Sequence, residues 1–161
     1  MNSIDDEVQL AASHDPTVVR EAALIWARAT ALRDLRPAPV TGEEKISGIQ
    51  RRLTVAGAKL VLAKQGDAYV GFTLFAPLNE YLEIFYLAVD PASWGRGVAS
   101  TLLVGAEDYA RTVGMAALGL WVIADNDRAL SVYERQGFLG TEQMKFDESS
   151  GRIERWLLKD I

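Results

Sequence analysis

Apolar residues recur at two different periods along the 161 residues of the chain, and the switches between them mark out its elements. From Val18 through Ala22, Ile25 or Trp26 and Ala29 to Leu32 they fall three or four positions apart, the spacing of one helix face. Asp15-Pro16 opens this helix: the carboxylate can accept a bond from a free first-turn amide, and Pro16 has no amide to leave unpaired. Pro37 and Pro39 stop it. Thr41 and Glu44 stand at capping-box spacing, which predicts a second helix through Ile49 and Leu53 toward Gly57.

The period then changes. Lys59 to Lys64 and Tyr69 to Phe75 read as strands around the turn Gln65-Gly66-Asp67, with Pro77 expected to end the second. Leu82 to Val89 is almost continuously apolar, as expected of a strand covered on both faces, and Asp90-Pro91 closes it. Val98, Leu102, Ala106, Tyr109 or Ala110, and Val113 make the stripe of another helix, with Gly114 as its C-terminal cap. Leu118 to Ile123 reads as a strand. Asp125 or Asn126 caps a short helix through Ala129, Leu130, Val132 and Tyr133, ended by Gly137. Thr141 to Phe146 and Ile153 to Leu158, flanking Asp147 to Gly151, read as a hairpin. Val8 to Ala11 carries only a faint strand pattern. The sum is an α/β chain: a mixed sheet with helices on its faces, whose strand-helix-strand unit from Leu82 to Ile123 supplies a parallel pair.

Composition narrows the chemistry. With 49% hydrophobic and 24% charged residues, and no low-complexity linker or internal repeat, residues 1–161 are expected to form one domain with one sizeable core. The formal charge of −5 argues against non-specific nucleic-acid binding, because no basic surplus exists to neutralise phosphates. The chain has no cysteine, hence no disulfide, no thiolate-bound zinc and no thiol nucleophile. Its single histidine, His14, cannot build a multi-histidine metal site, and a Ser-His-Asp triad would have to rest on it alone. No metal is expected. The start, Met1-Asn2-Ser3-Ile4-Asp5-Asp6-Glu7, is acidic where a signal peptide would be basic, and no apolar run reaches membrane-spanning length, so the sequence is read as cytoplasmic.

The segment Val89-Asp90-Pro91-Ala92-Ser93-Trp94-Gly95-Arg96-Gly97-Val98-Ala99-Ser100 joins a buried strand to a helix start. Gly95 and Gly97 permit backbone shapes and close approach that a side chain would block. Free amides and the positive end of the helix dipole make such a start an anion site, and Arg96 adds a fixed charge beside it. A phosphate or pyrophosphate could sit here; so could nothing more than a tight helix entry. The Walker pattern is absent, and the third glycine of the dinucleotide fingerprint would fall at Ser100.

Two blocks make the signal specific. Trp94-Gly95-Arg96-Gly97-Val98-Ala99, after Val89-Asp90-Pro91, resembles the acetyl-CoA-binding motif of the GNAT superfamily of N-acetyltransferases, Gln/Arg-x-x-Gly-x-Gly/Ala after a Val-x-Pro strand end. Downstream, Asn126-Asp127-Arg128-Ala129-Leu130-Ser131-Val132-Tyr133-Glu134-Arg135-Gln136-Gly137-Phe138 matches the family block Asn-x-x-Ala-x-x-x-Tyr-x-x-x-Gly-Phe at every marked position. Together they cover about a third of the chain; the first ~60 residues carry no diagnostic motif. One position departs from the pattern: Trp94 stands where the family has Gln or Arg, a side chain that helps hold the cofactor pyrophosphate. Arg96 is one candidate to compensate.

The resemblance implies a GNAT fold and transfer of an acetyl group from acetyl-CoA directly to an amine, of a small molecule or of a peptide or protein, without metal. It implies that the pyrophosphate lies on the amides of Gly95, Arg96, Gly97, Val98, Ala99 and Ser100. It implies that the strand at Leu87, Ala88 and Val89 splays from its parallel neighbour and bonds the pantetheine arm, with an amide of Ala88 or Val89 facing the oxyanion. Asn126 would bond pantetheine or serve only as a helix cap, and Ala129 would leave room for the arm. Tyr133 is the candidate acid for the departing thiolate, the alternative being a core tyrosine. Glu83, six residues before Val89, is the candidate base, the alternative being an edge residue facing solvent. Trp26, Arg33, the loop Pro37 to Thr41 and the hairpin Glu142 to Trp156 would shape the acceptor pocket. Two other readings stay open: a non-catalytic acyl-CoA-binding module, and an ATP- or NAD-binding domain that leaves the second block unexplained. A homodimer is also left open.

Overall fold

The computed structural model describes residues 7–39 and 41–161. The acidic start and Val40 of the Pro37–Thr41 loop lie outside the described residues. The elements are β1 (Val8–Ala12), α1 (Pro16–Arg33), α2 (Glu43–Leu53), β2 (Lys59–Gln65), β3 (Ala68–Leu78), β4 (Tyr81–Val89), a 3₁₀ turn (Pro91–Ser93), α3 (Val98–Thr112), β5 (Ala117–Ile123), α4 (Asp127–Arg135), β6 (Leu139–Asp147) and β7 (Arg152–Asp160). The strands form one sheet in the order β1-β2-β3-β4-β5-β7-β6. All neighbours are antiparallel except β4 and β5, the pair that the strand-helix-strand pattern predicts.

Helices cover both faces. On one, Val19, Ala22 and Ile25 of α1 and Ile49 of α2 pack on Leu60, Leu62, Phe72, Leu74 and Ala88. On the other, Leu103, Ala106 and Ala110 of α3, with Tyr133 and Phe138 at α4, pack on Phe75, Leu82, Ile84, Leu118, Leu120 and Leu157. The helix ends follow the sequence signals in part. The Asp15 carboxylate accepts from the Thr17 amide at 2.8 Å. Gly114 takes the left-handed backbone (φ 77°) that turns the chain out of α3.

One faint expectation is borne out and two others fail. The faint Val8 segment is a full strand, because β2 offers it an open edge from Val8↔Gln65 to Ala12↔Val61. The Thr41–Glu44 capping box does not form: Gly42 is the N-cap of α2, with no side-chain bond. Its α-carbon presses on α1 so closely that a Cβ there would lie 2.4 Å from the Ala23 carbonyl carbon and the Leu24 nitrogen. Nor does Pro77 end β3, which runs to Leu78. The last β2 partner is Lys59↔Phe75, so at Pro77 no bond is asked of the missing amide on that side.

Two irregularities in β4 create the site. The β3–β4 register steps from Leu74↔Tyr86 to Phe75↔Ile84, so Phe85 is an extra residue. This bulge resets the alternation of faces: Ile84 and Leu87 pack on the α3 side, while Phe85, Tyr86 and Ala88 pack on the α1 side. Second, β4 pairs with β5 only over Tyr81–Ile84 and Ala117–Leu120. Beyond these four pairs the strands part, and a gap opens inside the sheet.

Candidate active site

The gap leads into a cleft of about 860 Å³ that runs through the sheet. At one mouth stand the turn after β4, the start of α3 and the start of α4; Leu87, Ala88, Val89 and Tyr133 line the middle; Trp26, Thr30 and Arg33 of α1, with Arg152 of β7, line the far end.

The first mouth is built by short-range bonds. The Asp90 carboxylate accepts from the Ala92 amide at 3.1 Å and pairs with Arg28 at 3.0 Å, which fixes both the turn and α1 at the end of β4. Gly95 and Gly97 have φ of 78° and 81°, a region that side chains rarely adopt. A Cβ at either would meet nothing within 4 Å, so the backbone stands open on that side. Gly97 caps α3 without a side chain, which leaves the first-turn amides of Val98, Ala99 and Ser100 unpaired within the helix. The Ser100 hydroxyl accepts from Gln136 at 2.9 Å and so links α3 to the end of α4.

Trp94 lies inside this mouth. Its indole N–H donates to the Val89 carbonyl at 2.8 Å, and the Arg128 guanidinium lies over its ring at 4.0 Å from the centroid. Arg96 is exposed and does not line the cleft. The candidate compensating charge is thus absent from the cleft lining, where Arg128, on a different element, is present.

The edge of β4 in the gap has a definite polarity. The Asp90 amide donates to Val70 of β3, so by alternation the Ala88 amide also faces β3 and the Leu87 and Val89 amides face the gap. Of the two amides that the sequence offered toward an oxyanion, Ala88 and Val89, only that of Val89 faces the gap. Its carbonyl, on the same side, is occupied by Trp94.

Tyr133 sits on the α4 wall, 9% exposed, its ring edge-on to Phe138 with centroids 5.8 Å apart. Its hydroxyl has no hydrogen-bond partner among the described residues, yet it is not sealed off, so it reaches the cleft. Burial pushes its pKa far above the ordinary phenol range. Asn126 is the N-cap of α4: its side-chain oxygen accepts from the Ala129 amide at 3.2 Å, and both residues line the cleft.

Glu83 lies outside the cleft lining, half-buried opposite Gly119 in the four-pair ladder. Burial raises its carboxyl above the usual range, and the charges of Arg52 and Lys145 pull it partly back. Glu154, which no motif marks, shares this surrounding. Its carboxyl is raised by burial and then by the Asp147 carboxylate, against Lys145, 3.8 Å away, and Arg52. At the far end of the cleft Asp34 is held by Arg33 at 3.0 Å and by Arg152 at 2.9 Å. The Arg33 hydrogen bond is the main cause of its lowered pKa. Among the described residues no group of three or more His, Cys, Asp or Glu could hold a metal ion. No helix among them is long and apolar enough to cross a membrane.

The family model described as Acetyltransferase (GNAT) family matches residues 26–138, more than two thirds of the chain. The chain belongs to the GNAT acetyltransferase family. Both sequence blocks and the whole splay between β4 and β5 fall within the match. A mycothiol acetyltransferase from Acidimicrobium ferrooxidans is 37% identical over 87 residues, 51% of this chain and 28% of that protein. One from Rhodococcus erythropolis is 39% identical over 56 residues, 35% of this chain and 19% of that protein. The chain thus spans well under a third of these relatives. The GNAT fold is shared with the ribosomal-protein-S18-alanine N-acetyltransferase of Escherichia coli (TM-score 0.74, 21% identity, 96% of this chain and 94% of that one). It is shared too with the PaiA N-acetyltransferase of Thermoplasma acidophilum, solved in complex with coenzyme A (TM-score 0.69, 18% identity, 96% and 99%).

Proposed function

We propose that the chain transfers an acetyl group from acetyl-CoA to an amine. The observation that carries this reading is the splay of β4 from β5, which opens between an unshielded helix start at Gly95–Ser100 and the hydroxyl of Tyr133. The α3 amides bind the pyrophosphate. The free amide of Leu87 pairs the pantetheine arm as an added strand would, and Ala129, small and on the facing wall, leaves space for it.

The chemistry follows from the groups that remain. An amine with a pKa near 10 is mostly protonated at neutral pH and must lose a proton before it attacks. Glu83, its pKa raised by burial, accepts that proton through water, since it does not line the cleft. The amine nitrogen bonds to the thioester carbon, the C–S bond breaks, and the Val89 amide faces the oxygen that gains charge. Tyr133 gives its proton to the sulfur, and the second proton that the nitrogen sheds on becoming an amide restores the phenol through water. A buried phenol, protonated throughout the neutral range, is suited to a thiolate whose conjugate acid has a pKa of about 8.5.

The acceptor enters from the α1 side. There the lining carries Trp26, Arg33 and Arg152, and the two guanidiniums share one carboxylate, Asp34. This supports an acceptor whose amine sits near an anionic group, an amino acid or a peptide, over a polyamine. Calorimetric titration with acetyl-CoA, with ATP and NAD as controls, tests the donor. Thiol release across amino acids, peptides and polyamines tests the acceptor. Binding of acetyl-CoA alone, followed by turnover, supports the enzyme; tight binding with no turnover on any amine supports a cofactor-binding module; preference for ATP or NAD sinks both.

A further inference from the structure

Trp94 replaces the side chain that GNAT relatives direct at the pyrophosphate, and an indole cannot pair with an anion as a guanidinium does. The structure supplies a guanidinium at the same place from another element. The Arg128 guanidinium carbon lies over the Trp94 ring, 4.0 Å from its centroid, and both residues line the cleft mouth. Among the described residues it makes no hydrogen bond or ion pair; the indole face is its one partner.

Its position is otherwise unfavourable. Arg128 is the second residue of α4, after the Asn126 cap and Asp127, where the helix dipole disfavours a cation. A residue that breaks a local rule without a compensating ion pair marks a functional constraint. The contact with Trp94 keeps the guanidinium at the cleft mouth while its N–H groups stay unbonded to the described residues, and planar bidentate donation to phosphate oxygens is what this group does best. Across the mouth from it are the open amides of Gly95 to Ser100.

We propose that Arg128, held against the Trp94 ring, is the side-chain ligand of the cofactor pyrophosphate, so that α3 amides and an α4 guanidinium clamp it from two sides. Trp94 acts as a positioning residue, through Arg128. This rests on the acetyl-CoA reading above.

The test is calorimetric titration of native protein, Arg128→Ala, Trp94→Ala and the double variant with CoA and with 3′-dephospho-CoA, while pantetheine is followed by ligand-observed NMR. Arg128→Ala should weaken CoA and dephospho-CoA equally, by about 10- to 100-fold, the range for a charge-assisted bond, and leave pantetheine unchanged. Trp94→Ala should weaken CoA on its own and add little in the Arg128→Ala background. Unchanged CoA affinity in Arg128→Ala, or an equal loss for pantetheine, overturns the assignment. So does a loss seen with CoA but absent with dephospho-CoA, which would put Arg128 on the 3′-phosphate. Native protein that binds no CoA overturns the acetyl-CoA reading itself.

Discussion

Replacing Tyr133 with phenylalanine removes one oxygen and little else. The ring lies in the core beneath α4, edge-on to Phe138 at 5.8 Å, and phenylalanine keeps that contact. The hydroxyl makes no hydrogen bond to the described residues, so no native bond is lost, and stability should change by less than about 0.5 kcal/mol. Activity should change far more. General acid catalysis is worth about 10²- to 10⁴-fold, and the lower end applies because a thiolate with a conjugate-acid pKa of about 8.5 can depart unaided to some extent. Two factors of ten, at about 1.36 kcal/mol each, raise the barrier by about 2.7 kcal/mol. The assay is thiol release at saturating acetyl-CoA with an amine that the native protein accepts, alongside CoA affinity by calorimetry and thermal unfolding. A kcat within about threefold of native, with CoA affinity unchanged, would refute the role of Tyr133. Because burial holds the phenol so far up, any alkaline fall in native activity below about pH 9 should persist in the phenylalanine variant.

Glu83→Gln tests the base. The raised carboxyl must be ionised to act, so native kcat/KM should fall as pH drops through a pKa above the ordinary carboxylate range; in the variant this acid limb should vanish along with most activity. An unchanged limb would assign it elsewhere, with Glu154 the next group to substitute. Gly42→Ala tests the packing of α2 on α1: the added carbon would lie 2.4 Å from backbone that cannot yield, and chemical denaturation should show a loss of about 1–3 kcal/mol. A neutral result would mean that the α1–α2 approach is looser than described.

The periodic stretches were legible because helix and strand spacing is a local property. The apolar stripes of α1 and α3, and the strands β2 to β5, follow from it. Gly95, Gly97, Asn126 and Tyr133 were marked instead by the resemblance of two sequence blocks to the family motifs. What stayed hidden depends on neighbours distant in the chain. Gly42 caps α2 because α1 leaves no room for a side chain, which outweighs the Thr41–Glu44 pattern. The extra residue Phe85 cannot be seen in an apolar run, since only the partner register reveals it. Arg128 and Arg96 look alike as cations in a sequence; only the approach of α4 to the turn after β4 tells which one meets Trp94. Glu154 gives no signal beyond a charge in a strand.

The short ladder between β4 and β5 has a mechanical consequence. With only four residue pairs joining them, the strands β1–β4 and β5–β7 are two leaves on a narrow spine. The angle between the leaves sets the width of the gap. Gly119 lies on that spine, opposite Glu83, with the Trp156 ring so close that a Cβ would fall 2.1 Å from it. A side chain there would act as a wedge at the binding, and the far margin at Leu87, Ala88 and Val89 would register the change without any alteration to its own residues.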